Sequence, residues 1–250
     1  MKTTERHHLK DNELAMALGY VQGWLTNNQR SLLTTLGAIV LVGGGVAGYA
    51  AWQSSVDTKA RTLLAEAMVI EEARVMPPGP PPGTTNDPTA IPGQAPGTYP
   101  TERAKLEAAV PKFLAAADAY PANESGLTAR YHAAASLVTL GRFDEAVTQY
   151  DRVIAAGAGA GVVARMARLG KAETQLRAGQ FDPAIATFKA LAEEKDSALP
   201  PDALLMELAR AYKLAGKTED ARKTLTQVTE QHKDSPFAAE AKAELDKMKG

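Results

Sequence analysis

Residues 141–146 read Gly-Arg-Phe-Asp-Glu-Ala, and this pattern returns twice further along the chain. Residues 179–184 read Gly-Gln-Phe-Asp-Pro-Ala and residues 216–221 read Gly-Lys-Thr-Glu-Asp-Ala, so the copies begin 38 and 37 residues apart. An alanine stands seven residues before each glycine, and a large side chain follows four residues after each closing alanine. A fixed period of this length indicates a repeat architecture.

Each copy has the features of a helical hairpin. The glycine ends a first helix where a left-handed turn is needed, and the acidic residues after it suit the positive N-terminal end of a second helix. Small residues allow the paired helices to cross closely, while large ones fill the space toward the next hairpin. The alanines are Ala134, Ala172 and Ala209; the acids are Asp144, Asp182 and Glu219; the large residues are Tyr150, Phe188 and Leu225, followed by Val153, Leu191 and Val228. One hairpin cannot bury its own apolar face, so the hairpins should stack.

This spacing of alanine, glycine, alanine and a large residue resembles the tetratricopeptide repeat. Two features depart from that family's pattern. The copies are 37–38 residues long, and the closing proline is missing from the second and third copies. The turns between hairpins should therefore be longer, which alters the angle between neighbours.

The same spacing places a further second helix upstream, in residues 104–123. Its matching positions are Ala109, Phe113, Ala116 and Pro121. The first helix of this hairpin should precede it directly, but residues 76–100 intervene, and they hold nine of the fifteen prolines. Residues 57–75 have apolar side chains at helical spacing, so we predict that they are the missing helix. The proline-rich run is then an insertion inside the first hairpin, and its two ends must lie close together.

The sequence thus predicts an all-α fold, in which residues 55–250 form about four tetratricopeptide-like hairpins. Residues 235–249 read as a cap helix begun by a Ser-Pro start signal. The proline-rich run lacks the three-residue glycine period of collagen. It has PxxP spacing but no flanking lysine or arginine, which disfavours a role as a recognition ligand. Prolines every four residues keep it extended and out of helix.

Composition narrows the function further. The formal net charge is −1, and residues 101–250 carry 21 Lys+Arg against 21 Asp+Glu. No basic face follows from these totals, so we expect no nucleic-acid partner. There are no cysteines, which excludes disulfides, thiolate zinc sites and cysteine nucleophiles.

Residues 32–54 are predicted to cross a membrane. No charge occurs between Arg30 and Asp57, and the uncharged stretch is long enough for a hydrocarbon core of roughly 30 Å. A cleaved signal peptide is the alternative, although the preceding segment is too long for a typical signal n-region. Gly44 and Gly48 form a GxxxG pair through which two such helices can pack.

Residues 1–31 are predicted to be a cytosolic tail with an interfacial amphipathic helix. Leu14, Leu18, Val21 and Leu25 recur at helical spacing, with Trp24 beside them. The distribution of lysine and arginine around the span favours a cytoplasmic N-terminus.

No residues form a convincing active site, so we predict a non-enzymatic protein without metal or cofactor. His7 and His8 are adjacent and lack the spacing of a converging metal site. His132 reads as a groove or core histidine rather than a base. No glycine-rich phosphate loop follows a strand.

The first helices of such hairpins line a concave surface that takes a peptide or a partner helix. By family position, the predicted partner-binding residues are Tyr131, Ala135, Val138, Leu169, Glu173, Leu176, Arg177, Met206, Arg210 and Lys213. Their composition suits a segment with apolar anchors and some acidic character. The alternative is that several of them belong to the core between hairpins.

The order of a short tail, one span, tetratricopeptide-like hairpins and a cap resembles one membrane-anchored family, over nearly the whole chain except residues 76–100. His7-His8-Leu-Lys-Asp-Asn-Glu13 and Ser235-Pro-Phe-Ala-Ala-Glu-Ala-Lys-Ala-Glu-Leu245 resemble the two ends of the family typified by the ancillary Sec-translocon subunit of bacteria (YfgM-like). The resemblance implies a single-pass protein of the bacterial inner membrane, with a cytoplasmic N-terminus and periplasmic repeats. It also implies partners among Sec translocon components or periplasmic chaperones. A homo-oligomeric scaffold for cell-envelope assembly or division is the second hypothesis.

Overall fold

The computed structural model describes residue 16 and residues 19–77, 96–157, 161–194 and 199–248. In these residues the fold is helical, as the sequence predicts. The helices are α1 (residues 19–27), α2 (Gln29–Glu71), α3 (Glu102–Ala119), α4 (Glu124–Thr139), α5 (Phe143–Ala156), α6 (Val162–Arg177), α7 (Phe181–Glu193), α8 (Pro201–Leu214), α9 (Thr218–Gln231) and α10 (Ala238–Lys247). Two short strands, β1 (Arg74–Val75) and β2 (Thr98–Tyr99), complete the elements.

The chain divides into two units, Met1–Val56 and Asp57–Gly250. In the first unit the apolar side chains of α1 and α2 are exposed, among them Val21, Trp24 and Leu25. Leu14 and Leu18 of the predicted amphipathic helix lie outside the described residues, as does the motif at residues 7–13. Among the described helices, α2 is long and apolar enough to cross a membrane, by length and composition only.

In the second unit, each predicted glycine ends the first helix of a hairpin. Gly141, Gly179 and Gly216 have φ angles of 76°, 76° and 73°. Each donates its N–H to the carbonyl three residues back, and the next residue donates to the carbonyl five residues back. This is the Schellman motif, whose left-handed residue is usually glycine because a Cβ is disfavoured there.

The predicted packing positions are buried as well. Ala134, Ala172, Ala209, Tyr150, Phe188, Leu225, Val153, Leu191 and Val228 are all at most 3% exposed. Asp144, Asp182 and Glu219 lie in the first turns of α5, α7 and α9. Helices α4 and α5, α6 and α7, and α8 and α9 therefore form three consecutive hairpins.

The first hairpin is split, as the sequence predicts. Ala67 of α2 shares a buried cluster with Ala109, Phe113 and Ala116 of α3. Most of the proline-rich run, residues 78–95, lies outside the described residues. At its ends, β1 and β2 pair in parallel, and Met76 donates its N–H to the carbonyl of Tyr99 at 2.9 Å. The two ends of the insertion therefore meet, as predicted.

The C-terminal cap helix is present but begins later than the Ser-Pro signal predicts. Helix α10 begins at Ala238. Ser235 instead forms a turn: its Oγ accepts the N–H of Phe237 at 3.0 Å and donates to the carboxylate of Asp202 at 2.6 Å. Ala241 buries the cap against the last hairpin.

Candidate functional site

The first helices α6 and α8, together with the cap α10, line a surface with two adjoining cavities, which we call the first-helix groove. The α6/α8 cavity, of about 210 Å³, is lined by Glu173, Leu176, Arg177, Glu207, Arg210 and Leu214. The α8/α10 cavity, of about 370 Å³, is lined by Met206, Glu207, Ala209, Arg210, Lys213, Leu225, Glu240 and Glu244. Glu207 and Arg210 line both cavities, so the two adjoin.

The predicted binding residues divide into two groups. Six of them line the two cavities: Glu173, Leu176, Arg177, Met206, Arg210 and Lys213. The other four, which are half-buried and line neither cavity, are Tyr131, Ala135, Val138 and Leu169.

Several predicted binding residues are also part of the core. Tyr131 and Val138 pack in the cluster that Ala134 and Tyr150 form. Leu169 and Met206 pack against the core of the last two hairpins. These four side chains therefore support the stack, whether or not a partner also touches them.

Three acidic residues of the groove are absent from the sequence prediction: Glu207, Glu240 and Glu244. Glu207 precedes Arg210 by three residues on α8, and their side chains lie 3.7 Å apart. Glu240 and Glu244 lie on α10, for which the sequence predicts only a cap helix. Treating α10 as one more first helix would have found them. The groove therefore carries both signs of charge.

Lys213 and Glu244 form an ion pair between α8 and α10. Lys213 and Lys247 both donate to the Glu244 carboxylate, the latter at 2.7 Å. These hydrogen bonds lower the pKa of Glu244 to about 2. Lys213 thus pairs with the cap helix α10. The cations that line the α6/α8 cavity are Arg177 and Arg210.

Glu173 has the opposite electrostatic environment. Burial raises its pKa, the nearby Glu207 raises it further, and Arg177 and Arg210 act in the other direction. The pKa of Tyr131 is raised by burial and by the charge of Glu173. Glu173 therefore lies near the Tyr131 phenol of α4 as well as the charges of α8.

Two glycines allow close packing between neighbouring helices of the repeat unit, and neither was predicted from the sequence. A Cβ on Gly170 of α6 would lie 2.7 Å from Cζ of Tyr150, and a Cβ on Gly126 of α4 would lie 1.9 Å from the carbonyl oxygen of Tyr120. Gly170 lies inside a predicted helix, where a glycine often indicates close packing, so the sequence offered a signal for it. Close contact between α5 and α6 depends on it.

His132 is part of the packing between hairpins. Its Nδ1 lies 2.9 Å from Oε2 of Glu71, and its ring stacks on Phe113 with centroids 5.3 Å apart. Within the described ranges no cluster of three His, Cys, Asp or Glu residues is placed to hold a metal. His7 and His8 lie outside those ranges.

Comparison with known proteins identifies the repeats. Residues 131–200 and residues 202–235 each match a family model described as tetratricopeptide repeat. No curated protein matches the sequence significantly. The structure is similar to a crystal structure of the nearly identical TPR-like repeats of a kinesin light chain candidate from Podosopora anserina. The identity is 20% and the TM-score 0.50, over 58% of this chain and 77% of that one, and a variant of the same repeats matches equally.

At this identity the likeness to solved structures shows the fold alone. The fold is one of tetratricopeptide-like helical repeats, an architecture that typically serves as a scaffold for binding other proteins and not for catalysis.

Proposed function

We propose that this chain is a non-enzymatic, membrane-anchored adaptor that binds partner proteins in the first-helix groove. The observation that carries the proposal is the pair of adjoining cavities along α6, α8 and α10. Apolar side chains such as Leu176, Leu214 and Met206 alternate there with charged ones. A surface of this kind suits an extended peptide or a partner helix with apolar anchors.

The length and composition of α2 and the family resemblance support a location for the chain. We assign residues 32–54 as the membrane span, residues 1–31 as a cytosolic tail and residues 55–250 as a periplasmic domain of the bacterial inner membrane. The exposed apolar side chains of α2 support the anchor. The motifs at residues 7–13 and 235–245 support partners among Sec translocon components or periplasmic chaperones.

A homo-oligomeric scaffold for cell-envelope assembly or division is the second candidate. Gly44 and Gly48 favour it, since both lie on α2 with no heavy atom beyond their own helix within 4 Å of an added Cβ. Small residues four apart let two membrane helices approach closely.

Crosslinking in intact membranes followed by affinity capture separates the two functions. Recovery of translocon components or chaperones supports the adaptor. Adducts between copies of this chain alone support the scaffold. A phosphatase or fluorescent reporter fused after Gly250 tests the orientation, because the adaptor proposal requires that end to lie outside the cytoplasm.

Charge reversal tests the groove directly. Arg177 and Arg210 are exposed, so changing both to glutamate should abolish capture of the partner without unfolding the repeats. Arg152 on α5 and Lys223 on α9 are exposed cations of second helices, and reversing both gives a control with the same net charge. Equal capture by the two double variants would show that the groove is not the binding site. Leu169 and Met206 are unsuitable for this test because they also pack against the core.

A further inference from the structure

Glu173 differs from the other half-buried glutamates of the repeat unit. Glu71 pairs with His132, Glu194 with Arg168, and Glu244 with two lysines. In the part of the chain that the structure describes, the Glu173 carboxylate makes no ion pair and accepts no side-chain hydrogen bond, although it is half-buried. Partly removing a carboxylate from water without a partner is unfavourable. The carboxylate can therefore accept a donor from a segment bound in the cavity.

Groups on both neighbouring helices surround this carboxylate. On one side, α4 contacts α6 and carries the half-buried Tyr131, whose ring packs against Tyr150 with centroids 5.7 Å apart. Tyr150 in turn contacts α6 at Gly170, one turn before Glu173, and the charge of Glu173 raises the pKa of Tyr131. On the other side, Glu207 and Arg210 of α8 line the same cavity, together with Arg177 of α6 itself. Neither arginine comes within ion-pair distance of Glu173, and Arg210 is the closer partner of Glu207, at 3.7 Å.

A carboxylate beside an aromatic ring is a combination that recognises an organic cation. The carboxylate accepts charge-assisted hydrogen bonds, and the face of the ring attracts the positive charge. A second carboxylate, Glu207, lines the same cavity, and Arg210 lies 3.7 Å from it, so Glu173 is the carboxylate there without an ion-pair partner among the described residues. The two exposed arginines can turn outward, toward solvent or toward acidic and carbonyl groups of a bound segment.

We infer that Glu173 receives the basic side chain, a lysine or an arginine, of the protein segment that occupies the first-helix groove. The inference rests on the proposed function and assigns the partner's chemistry at one position. The cationic head donates to the Glu173 carboxylate and lies beside Tyr131. Arg177 and Arg210 contact acidic or main-chain carbonyl groups further along the same segment.

A displayed library of short random peptides, selected against the full-length chain in mild detergent, tests this. The wild type should enrich peptides with lysine or arginine at one fixed position between apolar residues. Glu173→Gln, which keeps the size of the side chain, should lose that preference. It should also bind a selected peptide about tenfold or more weakly, as expected for removing a charged hydrogen-bond partner. Glu173→Lys should reverse the preference toward acidic residues at the same position.

The control is Glu230→Gln, which removes an exposed carboxylate from the second helix α9 and should enrich the same peptides as the wild type. Selection of peptides that lack the basic residue, or an unchanged preference in Glu173→Gln, would overturn the assignment while leaving groove binding intact. No enrichment above that of the variant carrying Arg177→Glu and Arg210→Glu would overturn the proposed groove function, and the assignment with it.

Discussion

Tyr150 occupies the space that a side chain at position 170 would need. Its ring is 3% exposed, and its Cζ lies 2.7 Å from where a Cβ on Gly170 would stand. The tyrosine comes from the second helix of one hairpin and the glycine from the first helix of the next. The absence of a side chain at Gly170 therefore allows α5 and α6 to approach closely, and α6 is one of the helices that line the groove.

Gly170→Ala should lower the free energy of unfolding by about 1–3 kcal/mol, the usual cost of adding a methyl group to a filled core. The ring cannot move freely, because Tyr150 also packs against Tyr131 with centroids 5.7 Å apart. Urea denaturation measures the change. Gly161→Ala is the control for steric cost, since a Cβ there meets no atom within 4 Å and the change alters only the N-cap of α6. Equal stability of the two variants would contradict this account of the packing.

Glu173 should make the stability of the folded chain decrease as the pH rises from about 4 to 7. Burial and Glu207 raise its pKa in the folded chain, so the folded state binds this proton more tightly than the unfolded state. The protonated side chain therefore stabilises the folded state fully when the pH is below the ordinary carboxyl pKa. This stabilisation is lost as the pH rises through the raised pKa. Glu173→Gln should therefore melt at a higher temperature than the wild type near pH 7. The difference should shrink as pH falls to about 4.

Melting curves of the two proteins across this pH range measure the effect, and Glu230→Gln, which removes an exposed carboxylate of α9, is the matched control. A wild type that is more stable than Glu173→Gln at neutral pH would mean that the carboxylate has a partner in the fold. Stability and binding should thus change in opposite directions at this residue, as expected where a site retains an unfavourable group for its ligand.

At the scale of elements, the sequence specifies hairpins through local rules. Gly141, Gly179 and Gly216 end helices because the left-handed turn favours residues without a Cβ, and that requirement can be read from one chain segment alone. Which residues line the groove depends instead on contacts between helices that are distant in the sequence. Glu240 and Glu244 belong to it because α10 lies beside α8, and the sequence suggests this only if α10 is taken as one more first helix. Leu169, which was predicted to bind a partner, packs against the core.

The insertion in the first hairpin shows the same contrast. Its position follows from the repeat spacing, but the parallel pairing of β1 with β2 does not. Parallel strands cannot be joined by a tight turn. A deletion that joins Val75 directly to Thr98 would consequently break the pairing of β1 with β2. A test of the insertion should therefore change its sequence and keep its length.

Replacing residues 78–95 with a glycine and serine sequence of equal length should leave the repeat unit folded. The ends remain held by β1 and β2 and by the cluster around Ala67, Ala109 and Phe113, and a flexible loop of unchanged length costs little extra to close. The helical signal in circular dichroism and the melting temperature should stay close to those of the wild type. Cooperative unfolding lost on this replacement would mean that the prolines themselves support the hairpin.

At the scale of the whole molecule, one helix supplies residues to both units. The earlier part of α2 presents exposed apolar side chains such as Leu41, Val42 and Val46. The later part buries Ala60 and Ala67. Such a change along a single helix suits the proposed anchor joined to a repeat domain. Mutations in the earlier part should affect membrane attachment, and mutations in the later part should affect the packing of the repeat unit.

Leu41→Arg together with Val42→Arg should release the chain from membranes. Each arginine at the centre of a spanning helix costs about 3 kcal/mol of insertion free energy, whereas neither residue contributes to the buried clusters of the repeat unit. Fractionation followed by an alkaline wash measures the distribution. The control carries Thr58→Arg and Thr62→Arg, two exposed positions of α2 beyond the predicted span, and should stay in the membrane pellet. Release of the wild type by the same wash would show that the apolar stretch is no anchor, and the groove would then have to serve partners without one.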